Sequence, residues 1–143
     1  MGRIIGIDYG TKRCGIAATD NLRIIASPLA TVHSGELMSF LQNYIEKEKV
    51  DAITVGMPKQ KDGTASTVEQ HIIGFIRKFE KQFPHIKVYR TDERYTSKMA
   101  LQSMHQSGAK KKDRETKENI DMVSAAIILQ SFLESRTFRE SAL

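Results

Sequence analysis

The sequence predicts an α/β fold, a mixed five-stranded sheet flanked by helices. Three observations predict it. The chain opens with short apolar runs separated by turns of only a few residues, which implies antiparallel hairpins. The hydrophobic period then lengthens to helical spacing and alternates with two further apolar runs. Strands reached through helical crossovers run parallel to the strand they rejoin. Strands one to three are therefore predicted antiparallel, with strands four and five parallel to the first.

Each element has its own signal. Arg3 to Tyr9 is the first strand; its Ile4-Ile5-Gly6-Ile7 run suits a central strand covered on both faces. Cys14 to Thr19 is the second strand. Leu22 to Pro28 is the third, after the turn Asp20-Asn21. Pro28 lacks a ladder donor, so this strand ends there or lies at an edge. Leu37, Leu41, Tyr44 and Ile45 follow helical spacing, and Val50 to Gly56 forms the fourth strand before Met57-Pro58. Ser66-Thr67-Val68-Glu69 has the form of a capping box. Val68, Ile72, Phe75, Ile76, Phe79 and Phe83 then make one apolar helix face, stopped by Pro84. Ile86 to Thr91 is the fifth strand. A shorter helix is expected over about 96–106, a mobile, basic loop over about 107–116 and a last, deeply packed helix over about 117–135.

With 143 residues, the chain is long enough to bury its own core and is expected to be one domain, 1–143. No apolar stretch is long enough to span a membrane, and Met1-Gly2-Arg3-Ile4 runs directly into a strand instead of a signal peptide. A single cysteine, Cys14, allows no internal disulfide and fits the cytoplasm; its sequence setting suggests a buried hydrophobe more than a reactive thiol. The formal net charge of +5 favours a polyanionic partner such as nucleic acid. Its placement is more telling, with Lys110-Lys111-Lys112-Asp113-Arg114 in one cluster and Lys12-Arg13 beside the first strand's tip.

Open α/β sheets place ligands at the carboxyl ends of their parallel strands. Asp8 and Glu93 both fall at such ends. Taken alone, Asp8 fits a turn former before Tyr9-Gly10 as well as a metal ligand. Asp121 stands near the start of the last helix among Ile120, Val123, Ala125 and Ile128. An ionised carboxylate there needs a partner, although an acid in a first turn also suits the helix dipole. Together, acids from two strand tips and one helix can share divalent ions. Hard oxygen donors favour Mg²⁺ or Mn²⁺, and no His or Cys pair stands at zinc-ligand spacing. His33, His71, His85 and His105 are scattered and read as surface residues. Clustered acids on a basic chain repel a phosphodiester unless metal ions intervene, in which case they clamp it.

The same residues carry a family resemblance. Gly6-Ile7-Asp8-Tyr9-Gly10-Thr11-Lys12-Arg13-Cys14-Gly15-Ile16-Ala17 resembles the opening motif of the YqgF/RuvX family of candidate Holliday junction resolvases. Val55-Gly56-Met57-Pro58 with Asp62-Gly63-Thr64 resembles its second motif, and Asp92-Glu93-Arg94-Tyr95-Thr96-Ser97 its third. Ile120-Asp121 with Ser124-Ala125-Ala126 resembles the fourth. The matches come in the family's order and span nearly the whole chain. Tyr95 and Ser97 stand where many members have an aliphatic residue and Thr, mild departures that touch no acid.

The resemblance implies an RNase H-like fold and a metal-dependent nuclease, with Asp8, Glu93 and Asp121 as catalytic acids and metal ligands. It also implies two roles, maturation of the 5′ end of pre-16S rRNA and resolution of branched DNA. The expected partner is thus structured RNA or branched DNA, with ribosomal precursor particles as its setting. A homodimer would be needed to cut two junction strands symmetrically. Lys12, Arg13, Arg94, Lys110, Lys111 and Lys112 are candidate nucleic-acid contacts, each competing with a plain surface charge. Tyr9 and Tyr95 suit base stacking or packing on the sheet edge alike. Gly10 permits close backbone approach or a positive φ, Pro58 is expected to shape its loop, and Asp20 and Asp92 are the weaker acids. Two rival classes stay open at this level. Asp8-Tyr9-Gly10-Thr11 also resembles the phosphate loop of actin- and Hsp70-like ATPases, whose two lobes this length does not supply. A non-catalytic nucleic-acid-binding protein is the other.

Overall fold

Strand alternation divides the first hairpin between two hydrophobic cores. In the computed structural model, which describes residues 2–20, 25–57, 67–92 and 117–142, β1 is Arg3–Tyr9 and β2 is Arg13–Thr19. Ile5, Ile7 and Ile16 enter one core; Ile4 and Ala17 enter the other. The strands pair antiparallel, Ile7 opposite Ile16 and Asp8 opposite Gly15.

The remaining strands are β3 (Ala26–His33), β4 (Val50–Met57) and β5 (Lys87–Asp92). The sheet order is β3-β2-β1-β4-β5. β3 is antiparallel to β2, while β4 is parallel to β1 and β5 to β4. This is the mixed five-stranded sheet that the sequence predicts.

Two helices cover one face: α1 (Leu37–Lys47), entered through a short 3-10 turn at Ser34–Glu36, and α2 (Thr67–Gln82). Leu41 of α1 and Ile72 and Phe79 of α2 meet Ile53 and Val55 of β4 in the first core. The opposite face carries α3 (Lys117–Ala142), whose Ala125, Leu129, Phe132 and Leu133 close the second core with Ile4, Ala17 and Ala52. No helix among the described residues is long and apolar enough to cross a membrane.

One strand departs from expectation. The sequence places strand three at Leu22 to Pro28, but pairing begins at Ala26 and continues to His33. The apolar run that suggests an earlier strand ends in Ile25, which is 60% exposed. Pro28 stands within the strand because β3 is an edge and the ladder is irregular there. Ala17 pairs with Pro28 and Ile16 with Ala30, so Leu29 bulges out of register. β2 starts one residue earlier than expected. α3 runs beyond the expected end near Ser135, since no Gly or Pro interrupts it before Ala142. The expected helix over 96–106 and the basic loop over 107–116 lie outside the described residues.

Candidate active site

Asp8 is the penultimate residue of β1, at the carboxyl end of the parallel strands. Alternation puts it on the α3 side of the sheet, with Ile4 and Gly6. Directly opposite, Gly15 of β2 presents no side chain, and α3 packs there backbone to backbone. A β-carbon on Gly15 would fall onto the Asp121 carbonyl and lie 3.0 Å from the Met122 nitrogen. Gly6 continues the same furrow one turn along the helix, where a β-carbon would lie 2.7 Å from Leu129 Cβ and 2.9 Å from the Ala125 carbonyl oxygen. The two glycines thus seat α3 so that Asp121 arrives beside the strand pair bearing Asp8.

Cys14 stands between Arg13 and Gly15 on β2 and turns to the other face of the sheet. Its side chain is fully buried in the first core. Burial pushes the thiol up to about 11, a backbone hydrogen bond from Gly10 works the other way, and Asp8 and Asp121 each push it further up. One thiol feels both acids. Desolvation and the thiol likewise raise Tyr9, whose ring packs against Phe75 of α2 at 5.8 Å.

Asp121 has a basic partner. Arg13 Nε donates to Asp121 Oδ2 at 2.9 Å, joining positions 108 apart in sequence. The pair is partly open to solvent, the side chains being 33% and 24% exposed. Lys12 is exposed in the turn before β2. That turn is pinned to the end of β3: the Thr11 carbonyl accepts from Ser34 Oγ (2.7 Å) and the Lys12 carbonyl from the Ser34 amide (3.1 Å). Gly10 serves close approach, as a β-carbon there would come within 2.5 Å of the Arg13 carbonyl oxygen; its φ is not in the left-handed region.

The neighbouring strand tips are braced by a residue that sequence reasoning passed over. Arg90 of β5 reaches Glu69 of α2 through two hydrogen bonds, Nη1 to Oε1 at 2.6 Å and Nη2 to Oε2 at 3.0 Å. It also donates to the carbonyls of Val55 (3.2 Å) and Gly56 (3.1 Å) at the end of β4. Glu69, expected to close a capping box whose Ser66 lies outside the described residues, anchors this brace. An arginine among the half-buried residues of a strand, beside Tyr89, was the available signal. Beside it, Thr54 and Thr91 share a buried hydroxyl hydrogen bond of 2.6 Å.

β5 ends at Asp92, paired with Met57 at this same sheet edge. Glu93 follows it in sequence and lies outside the described residues, as do Pro58, Arg94, Tyr95, Lys110, Lys111 and Lys112. Among the described residues no group of three His, Cys, Asp or Glu side chains is placed to hold a metal ion. Asp20 sits at the far edge, because β2 runs antiparallel to β1; its Oδ1 accepts from the Ile25 amide at 3.1 Å, a turn role. His33, His71 and His85 are exposed, as expected.

Comparison with known proteins bears on this edge. A family model described as RuvX, Holliday junction resolvase, matches residues 2–135. The chain belongs to the RuvX family. Its class is accordingly that of a nuclease, a hydrolase, and this decides against the ATPase reading of Asp8-Tyr9-Gly10-Thr11. A Christiangramia forsetii protein named as a candidate pre-16S rRNA nuclease is 52% identical to this RuvX-family chain over 93% of its length and 98% of its own. A Flavobacterium johnsoniae protein of the same name is 51% identical over 96% of this chain and 100% of its own. Among solved structures, Thermus thermophilus RuvC in complex with a Holliday junction substrate superposes with a TM-score of 0.57 over 96% of both chains at 16% identity. The fowlpox virus Holliday junction resolvase gives 0.56 over 93% of this chain and 99% of its own at 18% identity. These similarities establish the RNase H-like, RuvC-type fold.

Proposed function

We propose that this RuvX-family chain is a divalent-metal-dependent nuclease that hydrolyses phosphodiester bonds in structured RNA, maturing the 5′ end of pre-16S rRNA. The observation that carries the reading is the convergence of Asp8 and Asp121 on one face at the carboxyl edge of the parallel strands, with Gly15 between them. Pre-16S rRNA is favoured because relatives about half identical over nearly the full chain carry that name. Resolution of Holliday junctions is the second reading. It rests on the family description and would call for a homodimer, one site for each strand cut.

The donor chemistry fits a hard cation. The acids offer hard carboxylate oxygens, while the Cys14 sulfur is buried in the first core, on the face of β2 turned away from Gly15 and Asp121. Asp8 and Asp121, with Glu93 just beyond β5, would hold Mg²⁺ or Mn²⁺. When bound, such an ion supplies Lewis acidity to the phosphodiester. The chain's own basic residues supply the rest. Lys12, exposed on the pinned turn, and Arg94 stand next to the acids in sequence and would take the charge of the phosphates flanking the cleaved bond. Lys110, Lys111 and Lys112 would follow the nucleic-acid backbone through counterion release. A ribosomal precursor particle in the cytoplasm is the setting this implies.

The test pairs substrates with variants. The purified chain is incubated with Mn²⁺ on labelled pre-16S rRNA and on a labelled four-way junction, beside Asp8→Asn, Glu93→Gln and Asp121→Asn. Each variant should abolish cleavage and keep its melting temperature within a few degrees of wild type. Cleavage by Asp8→Asn at the wild-type rate would overturn the assignment.

A further inference from the structure

The Arg13–Asp121 pair is placed where a basic side chain and a bound cation would call on the same oxygens. Arg13 lies on β2 two positions before Gly15, on the α3 side of the sheet, and its Nε takes Asp121 Oδ2 at 2.9 Å. Asp8 pairs with Gly15 of β2, and Gly15 lies against the Asp121 backbone, so both acids belong to the α3 face of the sheet. A guanidinium on Asp121 offsets negative charge on that face. The pair is part-buried, with side chains 33% and 24% exposed. An ion pair still reached by solvent is worth little and is therefore exchangeable. Among the described residues Arg13 engages through Nε, the inner edge of its fork, and this leaves two terminal amino groups of a type suited to phosphate.

We propose that Arg13 is a positioning residue that competes with the divalent cation for Asp121, holding the carboxylate in place until a cation takes it. The inference rests on the reading of Asp121 as a metal ligand. Arg13 thereby sets the cation concentration at which the site fills, and once displaced it remains beside the site as a counter-charge for the substrate phosphate. Most positioning residues support a site and weaken it when lost. Removing a competitor has the opposite sign, which makes the proposal specific.

Mn²⁺ is titrated calorimetrically into the full chain in wild type, Arg13→Gln, Arg13→Lys and Asp121→Asn, without nucleic acid. Arg13→Gln, which removes the charge, should bind Mn²⁺ about three- to tenfold more tightly, the range expected for loss of a weak competitor partly open to solvent. Arg13→Lys, which keeps the charge, should stay within about twofold of wild type and guards against a folding defect in the glutamine variant. Asp121→Asn should bind more weakly by about tenfold or more, as expected for a lost carboxylate ligand. Equal or weaker binding by Arg13→Gln, with binding lost in Asp121→Asn, overturns the competition and leaves the metal site standing. Unchanged binding by Asp121→Asn overturns the ligand assignment itself, and the competition with it.

Discussion

Gly15 and Asp121 meet backbone to backbone, so closely that no β-carbon fits between β2 and the start of α3. The candidate acid is therefore placed by the absence of a side chain on the strand opposite Asp8. Any larger residue at position 15 must push the helix outward and carry Asp121 with it.

Gly15→Ala should destabilise the protein by about 1–3 kcal/mol, the usual cost of overpacking a closed contact. At about 2–4 °C per kcal/mol for a domain of this size, the melting temperature should drop by several degrees. Nuclease activity should fall at temperatures where the variant remains folded. Gly74→Ala is the control. Gly74 lies on α2 with nothing within 4 Å of an added β-carbon, and alanine there should stabilise by about 0.5–1 kcal/mol through helix propensity. Thermal melts of the two variants should move in opposite directions.

The Arg90 brace makes a second prediction. Glu69→Ala leaves a half-buried guanidinium without its carboxylate and should cost about 1–3 kcal/mol in urea unfolding. Arg90→Lys should also destabilise, since an ammonium cannot hold both Glu69 oxygens and the Val55 and Gly56 carbonyls at once. Equal stability of wild type and Arg90→Lys would show that the brace is not needed to fix the strand tips.

Cys14 predicts a pH dependence. Its thiol rises from 9.0 to about 11 on folding, chiefly through burial, so the folded state favours the protonated form. The corresponding stability is present in full below pH 9 and is lost as pH rises through 11. The difference amounts to about 3 kcal/mol over that window. Wild type should thus lose stability more steeply between pH 9 and 11 than Cys14→Ala, which retains every other titrating group. At pH 8 the thiol should resist alkylation until the protein unfolds. Fast labelling of the native protein would contradict the burial.

Much of this architecture is legible in the chain. The Ile4-Ile5-Gly6-Ile7 run, the short turn before β2 and the helical spacing of Ile72, Phe75 and Phe79 are local patterns, and the elements they predict are present. β3 was read too early because an edge strand buries little. Ser27, Pro28 and Leu29 are exposed and give no periodic signal, whereas the louder apolar run precedes them. Gly15 could have been found as well, since a glycine inside a strand signals close approach of another backbone. Arg90, a long cation in mid-strand, was the comparable sign for the brace.

By itself the sequence determined the kind of chemistry available: carboxylates at strand tips, basic residues beside them, and the motif order that marks the RuvX family. Residue type and short spacing carry that information, because they set charge and local conformation. Only the tertiary structure decided how the acids are arranged. Asp8 and Asp121 are 113 positions apart in numbering, and their placement on one face depends on which way α3 crosses the sheet and on two glycines that let it lie close. Arg13 likewise finds Asp121 across 108 positions. Contacts at that range are set by the packing of whole elements, a property no single stretch of the chain contains.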